Sequence, residues 1–232
     1  AINVLTPDIN EIGALFKVVD KNTIRFGLLA IKNVGMGAAE SIIEAGKNGK
    51  FSSLEDLCQR IDLRLVNKKV LESLIKCGAL DYFAMSRAQM FAGLEMLLES
   101  ASKTQKEKAK GQLSFFDQVT NNLPQVKEWP EPQLLAFEKE MLGFYISGHP
   151  LERYAKQLKR FTASSISNIL EHKDQDEIKI VGFIAKIKHT ITRKKQEKMA
   201  ILKLEDLDGV IEALVFPRVY QKVARYIQPN TV

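Results

Sequence analysis

Nothing in these 232 residues could cross a bilayer as a helix, because no stretch approaches the roughly 18 consecutive apolar residues required. The opening residues, AINVLTPDINEIGALF, lack the basic start and apolar core of a secretory signal. Cysteine is nearly absent. Cys58 and Cys77 are the two present, neither sits in a CxxC pair, and both fall within apolar helical patterns. They read as reduced core residues of a cytoplasmic protein rather than as a disulfide or metal site. The three histidines, His149, His172 and His189, have no cysteine or carboxylate beside them at ligand spacing. There is no Ser/His/Asp set and no glycine-rich nucleotide loop. Asp206 and Asp208 superficially suggest a metal loop, but the turn dipeptide Asp208-Gly209 explains them better.

What remains is an ordinary soluble composition with a basic lean. The apolar fraction is 45% and the charged fraction 27%, which excludes wholesale disorder. The net charge of +6 and a pI near 9.2 favour a polyanionic partner without establishing one. The length suits one large domain or two modest ones.

The pattern divides near residue 176, helical before and β-rich after. Leu15–Val19 and Thr23–Phe26 flank the turn residues Asp20-Lys21-Asn22 and read as a hairpin. From Leu28 the period is helical, interrupted at Gly35-Met36-Gly37, and a second helix ends near Gly46. Ser53-Leu54-Glu55-Asp56 has the form of a capping box for a helix to about Ile61. A further helix from Asn67 carries Val70, Leu71, Leu74 and Ile75 on one side and stops at Gly78. Ser86 and Gln89 start the next, with a stripe of Met90, Phe91, Leu94, Leu97, Leu98 and Ala101. That helix is expected to dissolve into the Lys-rich run 103–110. A proline-bearing spacer follows, then a helix from Pro132 that breaks at Gly148-His149-Pro150. A helix from Leu151 to about Arg160 comes next, and a short one near Ser165–Glu171. Alternation over Ile178–Lys188, Met199–Leu204 and Val210–Phe216 predicts three strands, and Val219–Ile227 a closing helix.

Gly35-Met36-Gly37 between two short helices is what a helix-hairpin-helix uses to hold a phosphate. Glycine permits close approach and positive φ, and the following helix start offers free N–H groups to an anion. A plain helical turn with a C-cap glycine fits the stretch equally. Lys32 could add a charge. Asn67-Lys68-Lys69 stands where a second such helix begins, with Asn67 fit to cap it and two lysines able to reach phosphate. The spacing suits two hairpins about a pseudo-twofold, gripping both strands of a duplex by backbone and not by base. In the β-rich part, Lys186, Lys188, Arg193, Lys194, Lys195 and Lys198 gather around the first strand connection. There they form either a solvated loop or a track for single-stranded nucleic acid, as on an OB barrel.

Four long phrases, IRFGLLAIKNVGMGAAESIIEAG, FSSLEDLCQRIDLRLVNKKVLESLIKCGALD, FEKEMLGFYISGHPLERY and LEDLDGVIEALVFPRVYQK, follow one another in order. Together they resemble the catalytic (alpha) subunit family of bacterial DNA polymerase III over essentially the whole chain. The resemblance implies a C-terminal fragment of a larger bacterial, nucleoid-associated protein. It would hold the end of a fingers domain (1–27), a tandem helix-hairpin-helix domain (28–106) and a linker (107–131), then a helical connector (132–176) and a truncated OB domain (177–232). The implied fold is mainly α with an incomplete OB barrel, which would leave an open sheet edge at the C-terminus. The resemblance also implies partners: duplex and single-stranded DNA, other replisome subunits and the ring-shaped sliding clamp (beta subunit). The family's clamp peptide reads Gln, Leu, small or acidic, Leu, Phe. Here it is Gln112-Leu113-Ser114-Phe115-Phe116, departing at Phe115. These residues could instead fold back onto Met90–Leu98. The family's Mg²⁺-binding aspartates belong to a palm domain upstream, so no catalytic residue and no cofactor carries over to this chain, which should be inactive alone. Rival readings are the error-prone lesion-bypass paralogue, a ligase-type accessory region in the opposite domain order, and a protein-interaction hub.

Overall fold

The computed structural model describes residues 2–11, 13–109, 123–154, 164–229 and 231, which form two compact units, 1–148 and 149–232. The first is mainly helical and the second is built on a three-stranded sheet.

In the first unit, β1 (Asn3–Leu5) pairs in parallel with β3 (Thr23–Arg25), which also pairs with β2 (Lys17–Asp20). The hairpin turn is two residues rather than three, because Asp20 joins the ladder and its carboxylate accepts the Asn22 N–H at 2.8 Å. Among the described residues five α-helices follow: α1 (Met36–Gly46), α2 (Leu54–Arg60), α3 (Lys68–Lys76), α4 (Arg87–Ala109) and α5 (Glu131–Leu142). Their apolar faces meet in one core, in which Leu57, Leu71, Leu74, Ile75 and Met90 are fully buried. Cys58 and Cys77 sit in it as free thiols, and burial pushes both up to about 12, far from reactive thiolate.

The caps obey the sequence. Ser53 Oγ accepts the Asp56 N–H at 3.0 Å, Asn67 Oδ1 the Val70 N–H at 3.2 Å, and Ser86 Oγ the Gln89 N–H at 3.1 Å. Gly78 closes α3 with φ of 80°.

Four further expectations in this unit fail. The helix expected from Leu28 is one 3-10 turn, Leu28–Ala30, because the chain then leaves helical geometry. The Lys32 N–H goes to the Met141 carbonyl and Asn33 is left-handed at φ 68°. Conversely, α4 does not dissolve in the Lys-rich run but continues to Ala109, since Lys, Glu, Gln and Ala are strong helix formers. Gln105 fastens it by reaching the carbonyls of Cys58, Gln59 and Ile61 at the end of α2. Nor is the stretch before α5 a spacer. Leu123 is buried, Glu128 accepts the Arg87 and Ala88 N–H groups at the start of α4, and Trp129 packs edge-on against Phe91 and Phe137. Lastly, α5 ends at Gly143 (φ 90°), earlier than the Gly148-His149-Pro150 break. The buried Glu138 then folds the next bend, accepting from the Ile146 and Ser147 N–H groups and the Ser147 hydroxyl.

In the second unit, β4 (Phe183–Ile191), β5 (Lys198–Glu205) and β6 (Val210–Val215) form an antiparallel meander, followed by α6 (Pro217–Val223). The strand expected from Ile178 starts at Phe183, because the Lys179 carbonyl is taken by the Ser164 N–H. The β5–β6 connection is four residues, not a type I′ pair, and Asp208 and Gly209 have no positive φ. Asp206 organises it instead, accepting the N–H groups of Asp208, Gly209 and Ile166 at 2.8, 2.7 and 2.6 Å, while Asp208 accepts from Ser165 Oγ at 2.6 Å. Both carboxylates therefore fasten the 3-10 helix Ile166–Glu171 to the turn. The closing helix is shorter than expected and begins at Pro217, a favoured first position.

Candidate nucleic-acid interface

Both hairpin turns lie at the surface of the first unit. Gly35 and Met36 are exposed and Gly37 half-buried, and Asn67, Lys68 and Lys69 are exposed. The turns also adjoin. A Cβ on Gly37 would lie 3.5 Å from Leu65 Cδ2, just ahead of α3.

The two starts are chemically unequal. Gly35 caps α1 without a side chain, so nothing from the cap covers the leading N–H groups. At α3, Asn67 already occupies one such group. Gly35 has φ −90° and ψ 171°, extended backbone that any residue adopts, and Gly37 is not left-handed either. The expected positive φ is therefore absent from this doublet; in the turn it belongs to Asn33. A Cβ on Gly35 would meet nothing within 4 Å. Neither conformation nor packing within the described residues asks for glycine there.

The two turns brace each other reciprocally. Ser41 of α1 accepts the N–H of Asp62 in the second turn at 2.9 Å, and Ser73 of α3 accepts from Asn33 Nδ2 in the first turn at 3.0 Å. Ser41 and Ser73 are matched positions. Val34 matches Val66, Gly35 Asn67, Glu40 Glu72, Ser41 Ser73, Ile42 Leu74, Ile43 Ile75 and Gly46 Gly78, all at one offset. This internal repeat is the signal that reading each turn separately misses. It brings in Arg64, the counterpart of Lys32, which forks onto Asp62 at 2.7 and 3.0 Å. That side chain and the Arg64 N–H hold the Asp62 carboxyl down to about 2.

In the second unit, the pairing register puts Lys186 and Lys188 on one sheet face, and Lys203, directly opposite Lys186, joins them. Period-two alternation along β5 was the available signal for Lys203. Arg193, Lys194 and Lys195 are exposed in the turn, which Thr192 closes through its hydrogen bonds with Gln196 and Glu197. Lys198 pairs with Ile191 on the other face and lines a cavity with His189 and Tyr220 instead. The basic group is thus split between two faces and a turn. Residues 112–116 lie outside the described residues. Among the described residues no group of three or more His, Cys, Asp or Glu is placed to hold a metal.

A family model of the helix-hairpin-helix motif matches residues 1–90. Along its full length the chain is 38% identical to DNA polymerase III subunit alpha of Borreliella burgdorferi and 36% identical to that of Bacillus subtilis, covering 21% of each. Over 96% of its length it is 39% identical to that of Thermus aquaticus, covering 18% of it. The chain belongs to the DNA polymerase III subunit alpha family. It spans about a fifth of the length of these relatives, and the helix-hairpin-helix match contains both exposed turns of the alpha-subunit segment described above.

Proposed function

We propose that this alpha-subunit segment grips duplex DNA by its phosphate backbone for a bacterial replicative polymerase and performs no chemistry of its own. The observation that carries the reading is Gly35: an uncapped helix start where, among the described residues, nothing requires the missing side chain. Backbone N–H groups at a helix start suit a phosphate oxygen and ignore base identity. The first turn supplies amides. The second, with Asn67 occupying part of its helix start, contributes through its lysines, chiefly Lys69, with Lys68 available once it leaves Glu95.

The test is duplex binding across a salt series. Log affinity should fall linearly with log salt, and Lys69→Gln should make the slope shallower by about 0.9, one phosphate no longer being neutralised. A slope near zero for the unaltered chain would remove the reading.

Two finer functions complete the proposal. Gln112, Leu113, Ser114, Phe115 and Phe116 dock on the sliding clamp. Both neighbours of this stretch are anchored: α4 runs to Ala109, and Leu123 packs over Gly93 of the same helix. The apolar anchors offer about 1.5–3 kcal/mol each, and ordering the peptide costs about 1–2 kcal/mol per residue. Affinity should be modest and raised by simultaneous DNA binding. Capture by a bacterial sliding clamp should drop at least about tenfold in Gln112→Ala/Phe116→Ala; unchanged capture would remove the tether. The Lys186–Lys188–Lys203 face, with the basic turn 193–195, then guides single-stranded template.

A further inference from the structure

The two turns present four cations, and three of them are already answered by carboxylates. Lys32 Nζ lies 3.2 Å from Glu140 of α5, Lys68 Nζ 3.1 Å from Glu95 of α4, and Arg64 forks onto Asp62 within its own turn. Among the described residues, Lys69 alone of the four has no carboxylate partner. The three acids come from three different places in the chain: the second turn itself, α4 and α5. Lys32 and Arg64 occupy matched positions of the repeat, so the same arrangement has been reached twice by different means.

These pairs are poor candidates for holding the fold. Lys32 and Glu140 are 54% and 49% exposed, and Lys68 and Glu95 are 48% and 72% exposed. Solvated ion pairs of this kind contribute little to stability. Their consequence falls on whatever else those cations could hold. A phosphate reaching Lys32 or Lys68 must displace a carboxylate, and the displaced carboxylate stays near the phosphate as a like charge.

We propose that Glu95 and Glu140 are built-in phosphate competitors that hold the duplex grip below what its lysines could deliver. This rests on the duplex reading above and names how that site is regulated. The competitors turn a charge-driven clasp into one carried mainly by helix-start amides and Lys69. Such a grip releases readily, which suits a protein that must advance along its duplex.

The experiment compares the full 232-residue chain with Glu95→Gln/Glu140→Gln by fluorescence anisotropy on a labelled 20-base-pair duplex over a salt series. Thermal midpoints serve as the control for folding. The double variant should bind about three- to tenfold more tightly near 0.1 M salt. Its log–log salt slope should steepen by up to about 1.8, since two lysines freed for phosphate each displace counterions. Unchanged affinity and slope in a variant with normal melting would overturn the proposal while leaving duplex binding intact. Weaker binding would overturn it too, by showing that the carboxylates aim the lysines toward DNA. Absence of salt-dependent binding in the unaltered chain would overturn both this and the duplex reading, so the two failures are separable.

Discussion

Gly35→Val is expected to weaken duplex binding about ten- to a hundredfold while the chain stays folded. The size follows from losing one hydrogen bond to a charged phosphate oxygen, worth about 1.5–3 kcal/mol. The folded state has little reason to object. The backbone at Gly35 is extended, a conformation open to any side chain, and the added Cβ points into open space. A change of cap at the start of α1 should cost about 1 kcal/mol or less. Affinity and thermal midpoint, measured on the same preparations, should therefore part company. If both fell together, the glycine would be serving the fold and the phosphate-binding turn would lose its main support.

Leu74→Ala should have the opposite signature, removing about 2–5 kcal/mol of stability. Leu74 is fully buried in α3 and packs in the core shared by the helices of the first unit. Small domains are stable by about 5–15 kcal/mol, so this one side chain carries a large share. The denaturant midpoint should fall with little change in the slope of the transition, because the surface exposed on unfolding is nearly the same. The variant should retain the salt dependence of duplex binding under conditions where it is folded. A loss below about 1 kcal/mol would mean that the helix–helix interface is loosely packed and that the reciprocal serine bonds, not the apolar packing, hold the hairpins together.

Much of the candidate site was legible because it is local. Asn67 was recognisable as a cap from its residue type and its place before an apolar stripe, and its Oδ1 does accept the Val70 N–H. The glycine doublet was recognisable as the start of α1. Its conformation was not: the expected left-handed backbone belongs to Asn33, whose side chain is drawn to Ser73 across the repeat. The basic group around β4 and β5 was also visible, but not its division. A one-residue irregularity between Ile184 and Lys186 sets the register, and register decides that Lys186 faces with Lys203 while Lys198 does not.

By itself the sequence determined the helix caps, the glycine stop at Gly78 and the apolar faces, since each depends on residues within a turn or two. Tertiary structure alone decided where the elements give way to one another. The first turn is shaped by the Met141 carbonyl, the approach to α5 is tied down by Glu128 and Trp129, and the bend after α5 is wound on Glu138. Buried backbone polar groups must find partners, and here those partners arrive from residues far along the chain, where no local pattern announces them.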